Sequence, residues 1–196
     1  MTRRETPDAD PKPRRDHPEE DAGLGDALPG RPEAFERLVR LHMRDVYALA
    51  YRLTGRHADA DDLAQETFLR AWKSLPAFRA ESRFGTWLYR IAVNAFLNRK
   101  KALERRTRLE EEARDRPPTR VPEDPSGRAE RDEIRRRLRL EVDRLPPRQR
   151  TAFVLHTYQG LDYETIASVM ETTRDNVKVN LSLARKKLRK RMGDLL

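Results

Sequence analysis

An all-α protein, built as two small helical domains joined by a flexible linker, is what this 196-residue sequence predicts. Three observations carry the prediction. Apolar residues recur at helical spacing in two separate stretches; a charged, proline-broken segment divides them; and 37% hydrophobic against 38% charged residues limits each core to a small one. The net charge of +9 and a pI near 10.1 point to a polyanionic partner. Nucleic acid fits better than a membrane surface, because no segment sets a large apolar moment beside its bases. The lack of cysteine removes disulfides, cysteine-rich zinc sites and thiol catalysis together. No run approaches 18 consecutive apolar residues, and the N-terminus lacks the apolar core of a signal peptide, so the expected location is cytoplasmic.

Residues 1–31 are rich in Pro, Asp, Glu and Arg and hold almost no large apolar side chain. They bury too little to offset the entropy of ordering, and a disordered tail is expected. From Pro32 the pattern changes. Phe35, Leu38, Val39, Met43, Val46, Tyr47 and Ala50 repeat with helical spacing, and Gly55 closes the helix. A second helix, over residues 60–75, directs Leu63, Phe68, Ala71, Trp72 and Leu75 inward. Its other face carries Asp62, Gln65, Glu66 and Leu69. A third, GTWLYRIAVNAFLNRKK, follows the loop FRAESRF. Residues 32–101 thus make the first domain, with connections short enough for antiparallel neighbours.

Residues 102–131 are polar, charged and interrupted by four prolines. They read as a linker that begins as a helical extension. Thirty residues span at most ~100 Å extended and ~30 Å as a coil, enough for two lobes to sit on separate stretches of one duplex. Residues 132–196 form the second domain. Ile134, Leu138 and Val142 lead to Leu145-Pro146-Pro147 and then to a helix through Phe153, Val154 and Leu155.

The end of this domain carries two short amphipathic segments. Asp162 can N-cap a helix with Ile166, Ala167 and Met170 on one face. Thr172 or Thr173 can cap the next, where Val177, Leu181, Ala184 and Leu188 form a narrow apolar stripe. Lys178, Val179, Ser182 and Lys186 lie roughly opposite. Any small bundle with a solvated charged face would give this pattern, but so would a helix-turn-helix, in which one helix braces and the other enters the major groove. Charge favours the second reading: from Arg174 to Arg191 there are eight Lys/Arg and one Asp.

Asp59, Asp61, Asp62 and Glu66 form an acidic cluster beside His57. A metal or acid–base site is one reading. It is poorly supported, because no second carboxylate-bearing helix follows. Charges that favour a helix N-terminus and a docking face for a basic partner are the alternatives.

Two motifs then point to a family. DLAQETF, over residues 62–68, followed by WKSLPAFRAESRFGTWLYRIAVN, closely resembles the second conserved region of bacterial sigma factors, in the extracytoplasmic-function (ECF) group of the sigma-70 family. LPPRQRTAFVLHTYQGLDYETIASVMETTRDNVKVNLSLARKKLRK is similar to that group's fourth region. The resemblance leaves only the tail and linker unmatched. It implies that the face holding Asp62, Gln65, Glu66 and Leu69 docks on the clamp coiled coil of core RNA polymerase. It also implies that the loop from Phe78 to Phe84 opens the −10 promoter element. Phe78, Glu81 and Ser82 suit the lining of a pocket for a flipped base, Asn94 matches a base-contacting position, and Arg79, Arg83, Lys100 and Lys101, with Arg99, suit the strand's backbone. Trp87, Tyr89 and Phe96 also have a plainer reading as core.

For the −35 element the resemblance implies contacts from Lys178, Val179, Ser182 and Leu183, flanked by Arg174, Asn176 and Lys186. Val179 and Leu183 suit thymine methyl groups better than guanine edges. Glu171 departs from the turn's usual Gly, which a negative φ would accommodate; Asp175 and Asn180 depart from the common Gly and Arg. Promoter DNA and core polymerase are the expected partners, and an anti-sigma factor, which restrains many relatives, is a third candidate. No catalytic residue, metal or cofactor is expected: no glycine-rich phosphate loop occurs, and melting draws on binding of the flipped strand. A stand-alone helix-turn-helix regulator is the alternative, although such a protein has no use for an acidic docking face.

Overall fold

The structure, a computed structural model, describes residues 32–79, 82–111 and 131–193. The tail, Glu81 and most of the linker lie outside the described residues. Seven α-helices are present among them: α1 (Pro32–Thr54), α2 (His57–Ser74), α3 (Phe84–Glu111), α4 (Arg131–Asp143), α5 (Pro147–Thr157), α6 (Tyr163–Val169) and α7 (Arg174–Met192). A single 3₁₀ turn, Leu75–Ala77, follows α2.

α1, α2 and α3 pack into an N-terminal lobe, and α4 to α7 into a C-terminal lobe. α1 buries Phe35, Leu38, Val46, Leu49 and Leu53, an i, i+3/i+4 stripe that drives the helix onto α2 and α3. Gly55 stops it in the left-handed region (φ 78°), its N–H bonding to the Tyr51 carbonyl at 2.8 Å. α3 continues to Glu111, ten residues beyond the domain edge expected at 101. Trp87 and Phe96 are core, as the plainer reading had it; Trp87 packs on Phe78 and Phe84 with ring centroids 4.8 and 5.4 Å apart.

In the C-terminal lobe α5 is the hub. Pro147 starts it, where a missing N–H is harmless, and every residue from Arg150 to His156 is buried. A helix buried on all sides needs neighbours on all sides. α5 finds them in α6 and α7 and also in α1 and α3 of the other lobe.

The lobes therefore touch. Arg150 is 7% exposed, and its Nη1 donates to the Leu53 carbonyl at 2.8 Å. Asp143 approaches the same guanidinium at 3.6 Å. A Cβ at Gly55 would lie 2.6 Å from Asp143 Oδ2, so only glycine serves here. Burial pushes the Asp143 carboxyl above its ordinary value although Arg150 pulls it down, and burial lowers the Arg150 guanidinium although Asp143 raises it. Arg52 stacks over Tyr158 at 4.9 Å, and Arg139 over Tyr51 at 5.5 Å.

Candidate polymerase and DNA interfaces

The face of α2 that carries Asp62, Gln65 and Leu69 is exposed as expected, Leu69 at 56%. Glu66 differs from its three neighbours. Its carboxylate is ion-paired with Arg70 at 2.5 Å and with Arg99 of α3. Glu66 thus braces α2 against α3, leaving Asp62 as the freer carboxylate of this face. His57 stacks on Tyr51 (4.4 Å) and its Nδ1 lies 2.7 Å from the Tyr47 hydroxyl, so aromatic neighbours engage it rather than the acidic cluster. Among the described residues no three His, Asp or Glu side chains gather in a way that would hold a metal ion.

Beside that face runs an apolar groove of about 590 Å³ between α1 and α2, lined by Phe35, Val39, Met43, Phe68, Leu69 and Trp72 with Asp61 and Gln65 at its edge. Trp72 was expected to point inward. It is 40% exposed and leans on Phe35 with centroids 4.9 Å apart. The signal was available: Trp72 stands three residues from Leu69 and seven from Gln65, which is the outward register. Met43 belongs to the same surface. Apolar side chains flanked by carboxylates and an amide suit a helical partner that brings both an apolar stripe and basic groups.

The residues assigned to the −10 strand do not form one open surface. Phe78 is half-buried against Phe84 and Trp87. Arg79, Arg83 and Lys101 are exposed, Ser82 is half-buried, and Lys100 lies over the Phe96 ring at 5.9 Å. Arg99 is committed to Glu66. Asn94 is turned toward the other lobe: its Nδ2 donates to Glu171 Oε1 at 2.9 Å. Next to it the Tyr89 hydroxyl donates to Gln159 Oε1 at 3.4 Å.

The helix-turn-helix is α6–turn–α7. Asp162 Oδ1 accepts from Thr165 N at 2.7 Å, and Thr173, rather than Thr172, caps α7 by accepting from Asn176 N at 3.3 Å. The stripe Val177, Leu181, Ala184 and Leu188 is buried and continues to Met192. Lys178, Val179, Ser182, Leu183 and Lys186 face outward, with Val179 and Leu183 at 55% and 41% exposure. Two large apolar side chains held in solvent beside basic ones suit methyl-bearing base edges flanked by phosphates. Arg174 pairs with Glu164 (3.3 Å), Lys178 reaches Asp175 (3.9 Å), and the Asn176 amide donates to Thr172 Oγ1 (3.2 Å).

At Glu171 the expectation of a negative φ is overturned: φ is +49°. The physical reason is the way α6 ends. Thr172 N bonds to the Ala167 carbonyl at 3.0 Å and Glu171 N to that of Ser168 at 3.3 Å, a closure that demands a left-handed residue between helix and exit.

Comparison with known proteins agrees with this arrangement. Residues 38–107 match the family model for sigma-70 region 2, and residues 135–188 that for sigma-70 region 4. The ECF RNA polymerase sigma factor SigE of Mycolicibacterium smegmatis is 38% identical over 159 residues, covering 80% of this chain and 60% of SigE. The RNA polymerase sigma-H factor of Pseudomonas aeruginosa is 34% identical over 175 residues, covering 85% of this chain and 90% of that one. Two solved structures share the fold. The sigma factor RpoE in complex with the anti-sigma factor NepR, from Bartonella quintana, aligns with a TM-score of 0.64 at 22% identity, over 82% of this chain and 97% of that one. CnrH in complex with the cytosolic domain of CnrY aligns at 0.61 and 24%, over 87% and 95%. With both regions in order along one chain, and full-length relatives above 30% identity, the protein belongs to the ECF group of the sigma-70 family.

Proposed function

We propose that this sigma factor holds core RNA polymerase through Asp62, Gln65, Leu69 and the adjoining α1–α2 groove, with Glu66 bracing that face from behind. Residues 32–101 would then engage the −10 element and residues 132–196 the −35 element, with 102–131 as the tether between them. Asn94 reads an unstacked −10 base within the set Phe78, Arg79, Glu81, Ser82, Arg83, Lys100 and Lys101. On α7, Val179 and Leu183 meet base edges, while Arg174, Asn176, Lys178, Ser182 and Lys186 hold the duplex around them. The reading rests on one observation above the others: the same chain carries an acidic–apolar groove suited to a protein helix and a basic recognition helix suited to DNA. A stand-alone regulator would need only the second. No catalytic residue or cofactor enters this reading, and melting is driven by binding the separated strand. An anti-sigma factor is a further partner we infer, since the solved neighbour RpoE is a sigma factor held by the anti-sigma factor NepR. The α1–α2 groove is a surface on which it would compete with polymerase. The cytoplasm is the compartment this assignment requires; no described helix is long and apolar enough to cross a membrane.

The deciding experiment reconstitutes holoenzyme on promoter DNA and separates binding from opening. Asn94→Ala should lower permanganate reactivity of −10 thymines several-fold while duplex binding by the holoenzyme changes little, since the contact exists only once a base has left the stack. Equal losses in both would take Asn94 out of strand opening. Lys178→Ala should act on the other step. As an exposed cation beside the groove-facing residues it should weaken duplex binding by about 1 kcal/mol on every promoter and reduce the salt slope by roughly one unit. A loss concentrated on promoters differing at one upstream base pair would instead make Lys178 a base reader.

A further inference from the structure

The turn of the helix-turn-helix holds a side chain that costs the fold something and lies outside the recognition surface. Glu171 occupies a left-handed conformation (φ 49°), which glycine accepts freely and a side chain with a Cβ does not. Its carboxylate reaches the opposite lobe to accept from Asn94 Nδ2 at 2.9 Å. Asn94 and Glu171 are 77 positions apart in sequence and belong to different DNA-reading elements. A residue kept in a sparsely populated conformation, with a cross-lobe hydrogen bond to a proposed DNA-reading group, points to a role in function rather than stability.

We propose that Glu171 is an autoinhibitory latch: it occupies Asn94 in the free protein and holds the two lobes closed, so that the −10 reader is available only after the lobes separate. The proposal rests on the reading of Asn94 given above. Closure is mechanically supported by the neighbouring contacts, Tyr89 to Gln159 and Arg150 to Leu53. It also denies the chain the spacing it needs, because Asn94 and the turn ahead of α7 cannot touch each other and two separate promoter elements at once. The latch is weak by design of its chemistry. A single part-exposed, charge-assisted hydrogen bond shifts an equilibrium by about three- to tenfold, which binding of core polymerase to one lobe can override.

The test uses three variants of the full-length chain, and leaves the assigned binding residues intact. Glu171→Ala keeps the strained conformation and removes the carboxylate; Glu171→Gly removes both; Glu171→Gln keeps an acceptor of the same reach. Lobe separation is read by energy transfer between dyes placed on α2 and α7, and affinity by titration with a single-stranded −10 non-template oligonucleotide without polymerase. The expected result is that Ala and Gly open the chain and tighten oligonucleotide binding by about three- to tenfold, while Gln stays near wild type. Two outcomes would overturn the latch: no change in lobe separation in either Ala or Gly, or opening in Gly alone, which would trace the effect to relief of backbone strain. Opening without any gain in oligonucleotide affinity would retain the clasp and instead remove Asn94 from −10 recognition. The two readings therefore fail separately.

Discussion

Arg150→Ala should destabilise the whole chain by about 3 kcal/mol, lowering Tm by roughly 6–12 °C for a protein of this size. The guanidinium is nearly inaccessible, yet it serves two partners from different parts of the chain: the Leu53 carbonyl at the end of α1 and the Asp143 carboxylate at the end of α4. Truncation leaves a carbonyl without its donor and a partly buried carboxylate without its counter-charge, and the second is the larger loss. The Asp143 side chain keeps 29% exposure, which sets the estimate at the low end of what breaking a buried pair costs. The pH dependence has a definite sign. Burial holds the folded Asp143 pKa above its ordinary value, so its contribution is present at acid pH and is lost as pH rises through the folded value. Without Arg150 that value rises further. The gap between variant and wild type should therefore narrow as pH falls through the acid range just above the ordinary carboxylate pKa. Denaturant titrations at several pH values measure this, and a gap that widens toward acid would refute the assigned pair.

Asp62→Arg should reduce affinity for core polymerase by tenfold or more, about 1.4 kcal/mol at least, with helical circular dichroism unchanged. Asp62 projects from the exposed face of α2, next in sequence to Asp61 at the edge of the apolar groove, and reversal there turns attraction for a basic helix into repulsion. Glu66→Arg is the less informative variant, since it would also break the pairs with Arg70 and Arg99 that hold α2 to α3. The effect should shrink at high salt, because the interaction is made at a solvent-exposed rim. A core-binding titration in which Asp62→Arg matches wild type at low salt would remove the docking assignment.

Local order was legible in the sequence. The stripe Val177, Leu181, Ala184 and Leu188, the cap at Asp162 and the stop at Gly55 each depend on residues within a few positions of one another, and each stands where periodicity put it. The outward set on α7 follows from the same arithmetic. Trp72 departs from the inward direction expected of it because it shares the outward register of Leu69 and Gln65 and finds Phe35 of α1 to lean on. At Glu171, the helix-ending hydrogen bonds outweighed the residue's own conformational preference.

The sequence by itself determined two helical units, a last helix with a basic outward face, an acidic stripe and, through two ordered motifs, the family. Only the tertiary structure decided what those surfaces do in the free chain. It ties Glu66 to Arg99, seats Arg150 under Leu53 across 97 positions, and brings Asn94 to Glu171 across 77. Periodicity reports which way a side chain points from its own helix axis. It does not specify which distant surface packs there, because that depends on contacts whose partners share no local pattern.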